Sequence, residues 1–311
     1  FNQYITQPDV WRPAAPSEPG VDAKGDLTLS VPVMTVPGRG GLDYTIQFTY
    51  RSGIRVGQRA GWIGLGWEFD PGSITREPMA LVDVGGSVHG TDWATGAAPV
   101  WQPDAYFVTT PAGSSMMTRF VAGATPPRTD TDGFYLNEWR PWKVDFTTAN
   151  PVTVVDAAGG GTTTSVVYNG AATPKPDYTA FTITADDGSR YIFAHPTLST
   201  FRAFASNLTE QDDLQVEYFV STWRLRAILG PDYLGPDIPV GVEAGSWIRF
   251  DYTAPTTIVD MNGVEAPTRQ QVAYLSAIVT PTHQASFSTS PRFNEDFALY
   301  EEGHFLSLIH I

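Results

Sequence analysis

The sequence contains no cysteine, which removes disulfides, thiolate metal sites and cysteine nucleophiles together. Charge is scarce as well. Asp, Glu, Lys and Arg make up 17% of the 311 residues, and cations are the rarer kind, 19 Lys+Arg against 33 Asp+Glu for a formal net charge of −14. No run of Lys or Arg interrupts that acidity, so the electrostatic footprint that nucleic acid or anionic lipid requires is missing. No apolar stretch approaches the roughly 18 to 20 residues of a membrane-spanning helix, and no charged-then-apolar export signal opens the chain. The five histidines, His89, His195, His283, His304 and His310, lie far apart and none falls in His-x-x-x-His spacing. The chain has no Gly-x-Ser-x-Gly elbow, and the glycine-rich stretch Gly61 to Gly66 lacks the Gly-Lys-Ser/Thr ending of a phosphate loop. The expectation is therefore no cofactor, no metal site and no catalytic residue.

What remains is β-forming. Hydrophobic residues reach 42% and aromatics 13%, with 29 Gly and 25 Pro, a mixture that favours short strands and turns over charged amphipathic helices. Residues 1–20, with Pro8, Pro13, Pro16 and Pro19, read as an extended lead-in. Leu27 to Val31 alternates with period two before Pro32 and Pro37-Gly38 punctuate the chain. Tyr44, Ile46, Phe48 and Tyr50 then share one face of a second strand. Further strands are predicted over 106–109, 142–147, 163–168, 180–184, 190–194, 216–220, 247–252 and 274–279. Asp186-Asp187-Gly188-Ser189 should turn Phe181 to Phe193 into a hairpin. Stretches 82–100, 122–132 and 157–161 read as loops, and the weak helical window from Asn207 to Tyr218 as a turn feeding a strand. Trp223 to Ile228 and Tyr274 to Val279 echo each other, each placing a large residue, then Leu, then Ile.

Five pieces follow in a fixed order: Gly25 to Val33; Pro37-Gly38-Arg39-Gly40-Gly41-Leu42; Phe48 to Gly53; Gly64-Leu65-Gly66-Trp67; and Gly72-Ser73-Ile74-Thr75-Arg76. Together they resemble the opening module of Rhs/YD-repeat proteins, including SpvB-type regions and the B component of insecticidal toxin complexes. Downstream, Asp187 to Phe193, Val220 to Leu225, Tyr274 to Pro281 and Ser290-Pro291-Arg292 resemble segments that follow that module, so the resemblance spans about 21–305. Residue by residue the stretch reads as structure. Gly38, Gly40 and Gly41 permit a tight corner, Arg39 can donate to loop carbonyls, and Tyr50, Gly64, Gly66 and Trp67 alternate bulk with close backbone approach.

The predicted fold is all-β, with many short antiparallel strands in curved sheets or a sandwich. Residues 21–305 form the β region, and 306–311 are expected to be a sequencing artefact, with the natural chain extending past both ends of this one. The resemblance implies a non-catalytic wall segment of a large secreted or cell-surface bacterial polypeptide. Its partners would be the downstream YD-repeat and toxin regions, around which the repeats wind as a hollow shell, together with other secretion or toxin-complex components. Two further classes stay open. A carbohydrate-binding module would display Trp62, Trp67, Trp139 or Trp142 as exposed rings. A β-sandwich hydrolase, or a Ca²⁺ site, would use carboxylates such as Asp186-Asp187, Asp212-Asp213 or Glu301-Glu302.

Overall fold

In Tyr44–Arg51, Tyr44 and Ile46 are buried while Thr45 and Gln47 are exposed. This alternation lets one face of a strand join a core while the other meets water. The pattern recurs through a computed structural model that describes residues 20–21, 25–54, 61–77, 104–120, 133–137, 142–155, 162–164, 176–202, 216–260, 268–291 and 304–310. Among these residues the fold is all-β, with antiparallel pairing throughout and no helix.

A four-stranded sheet comes first: β1 (Gly20–Val21), β2 (Leu27–Val36), β3 (Tyr44–Arg51) and β4 (Trp67–Glu68), paired in that order. Next come β5 (Ser73–Glu77), β6 (Ala105–Thr110), β7 (Gly113–Phe120) and β8 (Gly133–Leu136), each paired with the next. Then follow β9 (Lys143–Ala149) and the small pair β10 (Thr153–Val155) and β11 (Thr162–Thr164). The hairpin β12 (Asp177–Thr184) and β13 (Arg190–Arg202) leads to the longest strand, β14 (Val216–Leu229). Last are β15 (Trp247–Tyr252), β16 (Thr256–Asp260), β17 (Thr268–Val272), β18 (Leu275–Val279), β19 (Gln284–Pro291) and β20 (His304–His310).

β13 and β14 pair along their whole length and form a spine from which the other strands branch. β12 and then β9 extend from one end of β13, and β17 meets it near Ser199. On the far side of β14, residues 222–224 pair with β5 while 227–229 pair with β15. The path β8-β7-β6-β5-β14-β13-β12-β9 therefore curls into a nearly closed eight-stranded barrel. Its ends meet through side chains, with Phe134 of β8 edge-on to Phe146 of β9 at 5.5 Å. Eight strands leave an interior just wide enough for side chains to fill. Tyr106, Tyr178, Phe181 and Trp223 fill it, each at most 1% exposed, with Phe181 and Trp223 4.9 Å apart and nearly perpendicular. Full burial of each large side chain is worth about 1.5–3 kcal/mol.

The first sheet covers the face of β15, β18 and β19 as a sandwich that shares β14 with the barrel. Tyr44 packs on Phe250 at 5.0 Å, Phe69 on Phe287 at 6.3 Å, and the Thr280 hydroxyl donates to the Pro37 carbonyl at 2.7 Å.

Several expectations need revision. Gly20, assigned to the lead-in, pairs with Thr28. Pro32 does not end its strand: β2 continues to Val36 across a register shift between Pro32 and Met34, a bulge that absorbs the missing donor. Segment 190–194 extends to Arg202, with Pro196 opposite Trp223 among three register shifts, and 216–220 runs on to Leu229 in one strand. Tyr274 lies outside its strand, its N–H donating to Thr253 Oγ1 at 3.0 Å. The echoing segments do not pair with each other; both flank β15, one through β14 and one through β18. Residues 304–310 lie as β20 against β19. The predicted loops 82–100, 122–132 and 157–161, and residues 165–168 and 207–215, fall outside the described residues.

Candidate functional site

The signature stretch separates into two motifs at opposite ends of the β2–β3 hairpin. At the closed end, Gly40 and Gly41 take φ of 67° and 82°, and a Cβ on Gly38 would lie 1.9 Å from the Leu42 carbonyl oxygen, so the corner requires glycine for both dihedral and space. Arg39 differs from expectation. Its side chain is exposed, and its contribution is the backbone carbonyl that accepts the Leu42 N–H at 3.2 Å. Asp43 closes the corner instead, accepting the Gly38 N–H at 2.8 Å.

At the open end, Tyr50 and Trp67 are cross-strand partners with ring centroids 5.2 Å apart. Gly66, with φ of 78°, hands its carbonyl to the Arg51 N–H at 2.8 Å, and a Cβ there would lie 2.9 Å from the Tyr50 ring. Gly64, with φ of 129°, completes a tight bridge to Gly61. Tyr50, Gly64, Gly66 and Trp67 thus assemble into one packing unit, while Gly38 to Gly41 stand apart from it.

Trp62 and Trp67 are half-buried rather than displayed. Trp62 is enclosed by Phe69, Tyr252 and Tyr274, and the Arg224 guanidinium carbon lies 4.9 Å from its ring centroid. Trp142 stacks on Tyr191 at 5.9 Å, and Trp139 lies outside the described residues. Asp187 accepts the Ser189 N–H at 2.8 Å within the hairpin turn; Asp212-Asp213, Glu301-Glu302 and His89 lie outside the described residues. No group of three or more potential metal ligands occurs among the described residues.

Two charged centres escaped the sequence reading. Inside the barrel, Arg76 Nε donates to Asp104 at 2.7 Å and Nη1 to Asp177 at 3.0 Å, with all three side chains 0% exposed. The Asp177 carboxylate also accepts the N–H groups of Tyr178 at 2.8 Å and Val220 at 2.9 Å, so both of its oxygens act as acceptors. The rings of Tyr106, Tyr178 and Phe219 surround the guanidinium at 5.7–6.0 Å. Burial works against the Arg76 charge, but Tyr106, Asp177 and Asp104 outweigh it and hold the guanidinium protonated above its ordinary range. Burial also raises the Asp177 carboxyl, with Arg76 and the two amides pulling the other way. A signal for Arg76 was present: it lies in phase with Ile74 on the inward face of β5.

The second centre lies on the shared strand. His195, opposite Arg224 across the β13–β14 ladder, stacks on Tyr252 at 5.0 Å. Burial, with Arg226 and Arg224 nearby, lowers the His195 pKa to about 4, so the ring is neutral at pH 7. Arg224 reaches Asp70 at 3.6 Å, and Asp251 is shared between Arg226 and a bidentate Arg249.

Both centres are tied into the chain's own backbone and rings. No protein-family model matches the chain, and no curated protein does. Among solved structures, the chain is similar to the N-terminal domain of the effector protein SpvB from Salmonella typhimurium strain LT2, with a TM-score of 0.35 and 12% identity over 90% of this chain and 84% of that one.

Proposed function

We propose that this chain is a non-catalytic wall segment of a large secreted or cell-surface Rhs/YD-repeat polypeptide, one that helps to build a β-shell around a C-terminal toxin or effector. The observation that carries the reading is how the signature stretch from Gly25 to Arg76 is used. Its corner, its Tyr50–Gly66–Trp67 unit and its terminal Arg76 all contact this chain. A wall requires this economy: ordered strands, turns fixed by glycine, and charges sealed among acceptors from distant strands. The half-buried Trp62, covered by Arg224, favours a packing role over a sugar platform.

The test is to read the contiguous gene past Phe305, express the whole polypeptide, image it by electron cryomicroscopy and challenge it with protease. Expected are YD repeats that continue the sheet, a hollow shell with 21–305 in its wall, and a protease-protected C-terminal region. A stop codon directly after this segment, or a C-terminal region digested as fast as a free peptide, overturns the reading.

A further inference from the structure

The connection between β14 and β15 displays the three most exposed large hydrophobic residues among those described: Leu234 at 78%, Val240 at 70% and Val242 at 88%. Exposed apolar residues on a floppy loop would mean little, but this loop is built. Glu243 accepts the N–H groups of Val240, Gly241 and Val242 at 2.8–3.0 Å, fixing the tip. Asp232 accepts the N–H and hydroxyl of Ser246 at the base, both at 3.1 Å. The Tyr233 hydroxyl donates to the Pro236 carbonyl at 2.9 Å, Arg249 to the Pro239 carbonyl at 2.9 Å, and Arg190 pairs with Asp237 at 3.0 Å. Tyr233 and Ile238 anchor the loop in a small core with Ile192, Leu229 and Trp247. Internal bonds therefore hold the backbone in place while Leu234, Val240 and Val242 face solvent.

The surroundings indicate what would cover them. Asp232, Asp237 and Glu243 belong to the loop, and the hairpin turn carrying Asp186 and Asp187 lies against it, with Gly188 beside Pro231. Against these carboxylates stand Arg190, paired with Asp237, and Arg249, engaged by Asp251. The rim is acidic, and the whole chain carries −14. Acidity of this kind repels anionic lipid and a second copy of the same surface, and attracts a basic one. We infer that the 232–244 loop is a preorganised docking knob for a protein partner that offers an apolar pocket bordered by Lys and Arg. This inference is independent of the wall reading. Preorganisation lowers the ordering cost of association, and a few anchored apolar side chains at the centre of an interface carry most of its affinity.

The test uses the whole chain with a photoreactive benzoylphenylalanine at position 242, cross-linked in an extract of the producing organism. Each captured protein is then purified and titrated against three forms: the wild type, the Leu234→Ser/Val240→Ser/Val242→Ser variant and Glu243→Gln. The expected result is a cross-linked peptide that is apolar and flanked by Lys or Arg. Its affinity should fall at least ~10-fold in the triple variant and about threefold in Glu243→Gln, which keeps the apolar side chains but leaves the tip one acceptor oxygen in place of two. Raising salt from about 50 to about 500 mM should weaken binding. An unchanged unfolding midpoint in the triple variant separates lost binding from lost fold; if the midpoint drops, Val242→Ser alone serves. Cross-links to a second copy alone, to an acidic surface or to nothing overturn the inference. So do affinities indifferent to the triple variant, and sedimentation with phosphatidylcholine–phosphatidylserine vesicles that the same variant abolishes.

Discussion

Arg76 and Asp177 stand 101 residues apart in the sequence and meet at 3.0 Å inside the barrel, both side chains 0% exposed. Their bond ties β5 to the start of β12, and through the Val220 N–H it ties both to the spine.

Removing one member of such a cluster strands the others. Arg76→Met takes the cation from the buried Asp177 carboxylate and one partner from Asp104, and its expected cost is about 3–5 kcal/mol in urea unfolding at pH 7. Combining it with Asp104→Asn and Asp177→Asn removes the uncompensated charges and should recover much of that loss. If the single variant unfolds at the wild-type urea concentration, the cluster is not the tie described.

The glycines of the signature differ in what they tolerate. Gly41→Ala meets open space and bears only the strain of a positive φ of 82°, an expected loss of about 1 kcal/mol. Gly66→Ala adds contact with the Tyr50 ring at 2.9 Å and the Arg51 carbonyl at 3.1 Å to its own positive φ. It should cost about 2–3 kcal/mol and disturb the Tyr50–Trp67 pair, visible as a change in near-ultraviolet circular dichroism. Equal losses at the two positions would mean that the close approach is relieved at no cost.

Trp62 and Arg224 provide a coupling to measure. With the guanidinium carbon 4.9 Å from the ring centroid, a double-mutant cycle of Trp62→Leu and Arg224→Gln should show about 0.5–2 kcal/mol of interaction. Repeating the cycle in an Asp70→Asn background tests whether the contact with Asp70 at 3.6 Å contributes. Strict additivity would leave the ring and the cation as mere neighbours.

Local chemistry was legible and long-range register was not. The Asp-Gly turn marks the hairpin, and Phe181 does pair with Phe193; the Tyr44 alternation gives β3 and its buried face. Proline misleads where a bulge absorbs it. Pro32 and Pro196 both lie inside strands with shifted register, so β2 and β13 run further than the punctuation suggests. Arg76 could be placed on an inward face by its phase with Ile74, but its partner Asp177 sits beside a register shift between Tyr178 and Ala180, which no period-two reading anticipates. Arg39 shows the converse. A cation beside a glycine corner invites a side-chain role, yet Asp43 supplies the closing bond.

His195 gives the fold a pH dependence with a defined sign. Its pKa in the folded chain is lowered to about 4 by burial and by Arg226 and Arg224, whereas in the unfolded chain it lies near the ordinary value of about 6.5. Above that ordinary value both states hold a neutral ring and the contribution to stability is fully present. As pH falls from about 6.5 toward about 4 the unfolded chain takes up a proton that the fold refuses, and stability drops by about 3 kcal/mol in total. His195→Phe retains an aromatic ring to stack on Tyr252 and removes the titration. The difference between wild type and variant in urea midpoint, measured at half-unit steps through that window, should grow steadily as pH falls. A difference that stays constant across the window would mean that His195 takes up its proton in the fold as readily as in the unfolded chain.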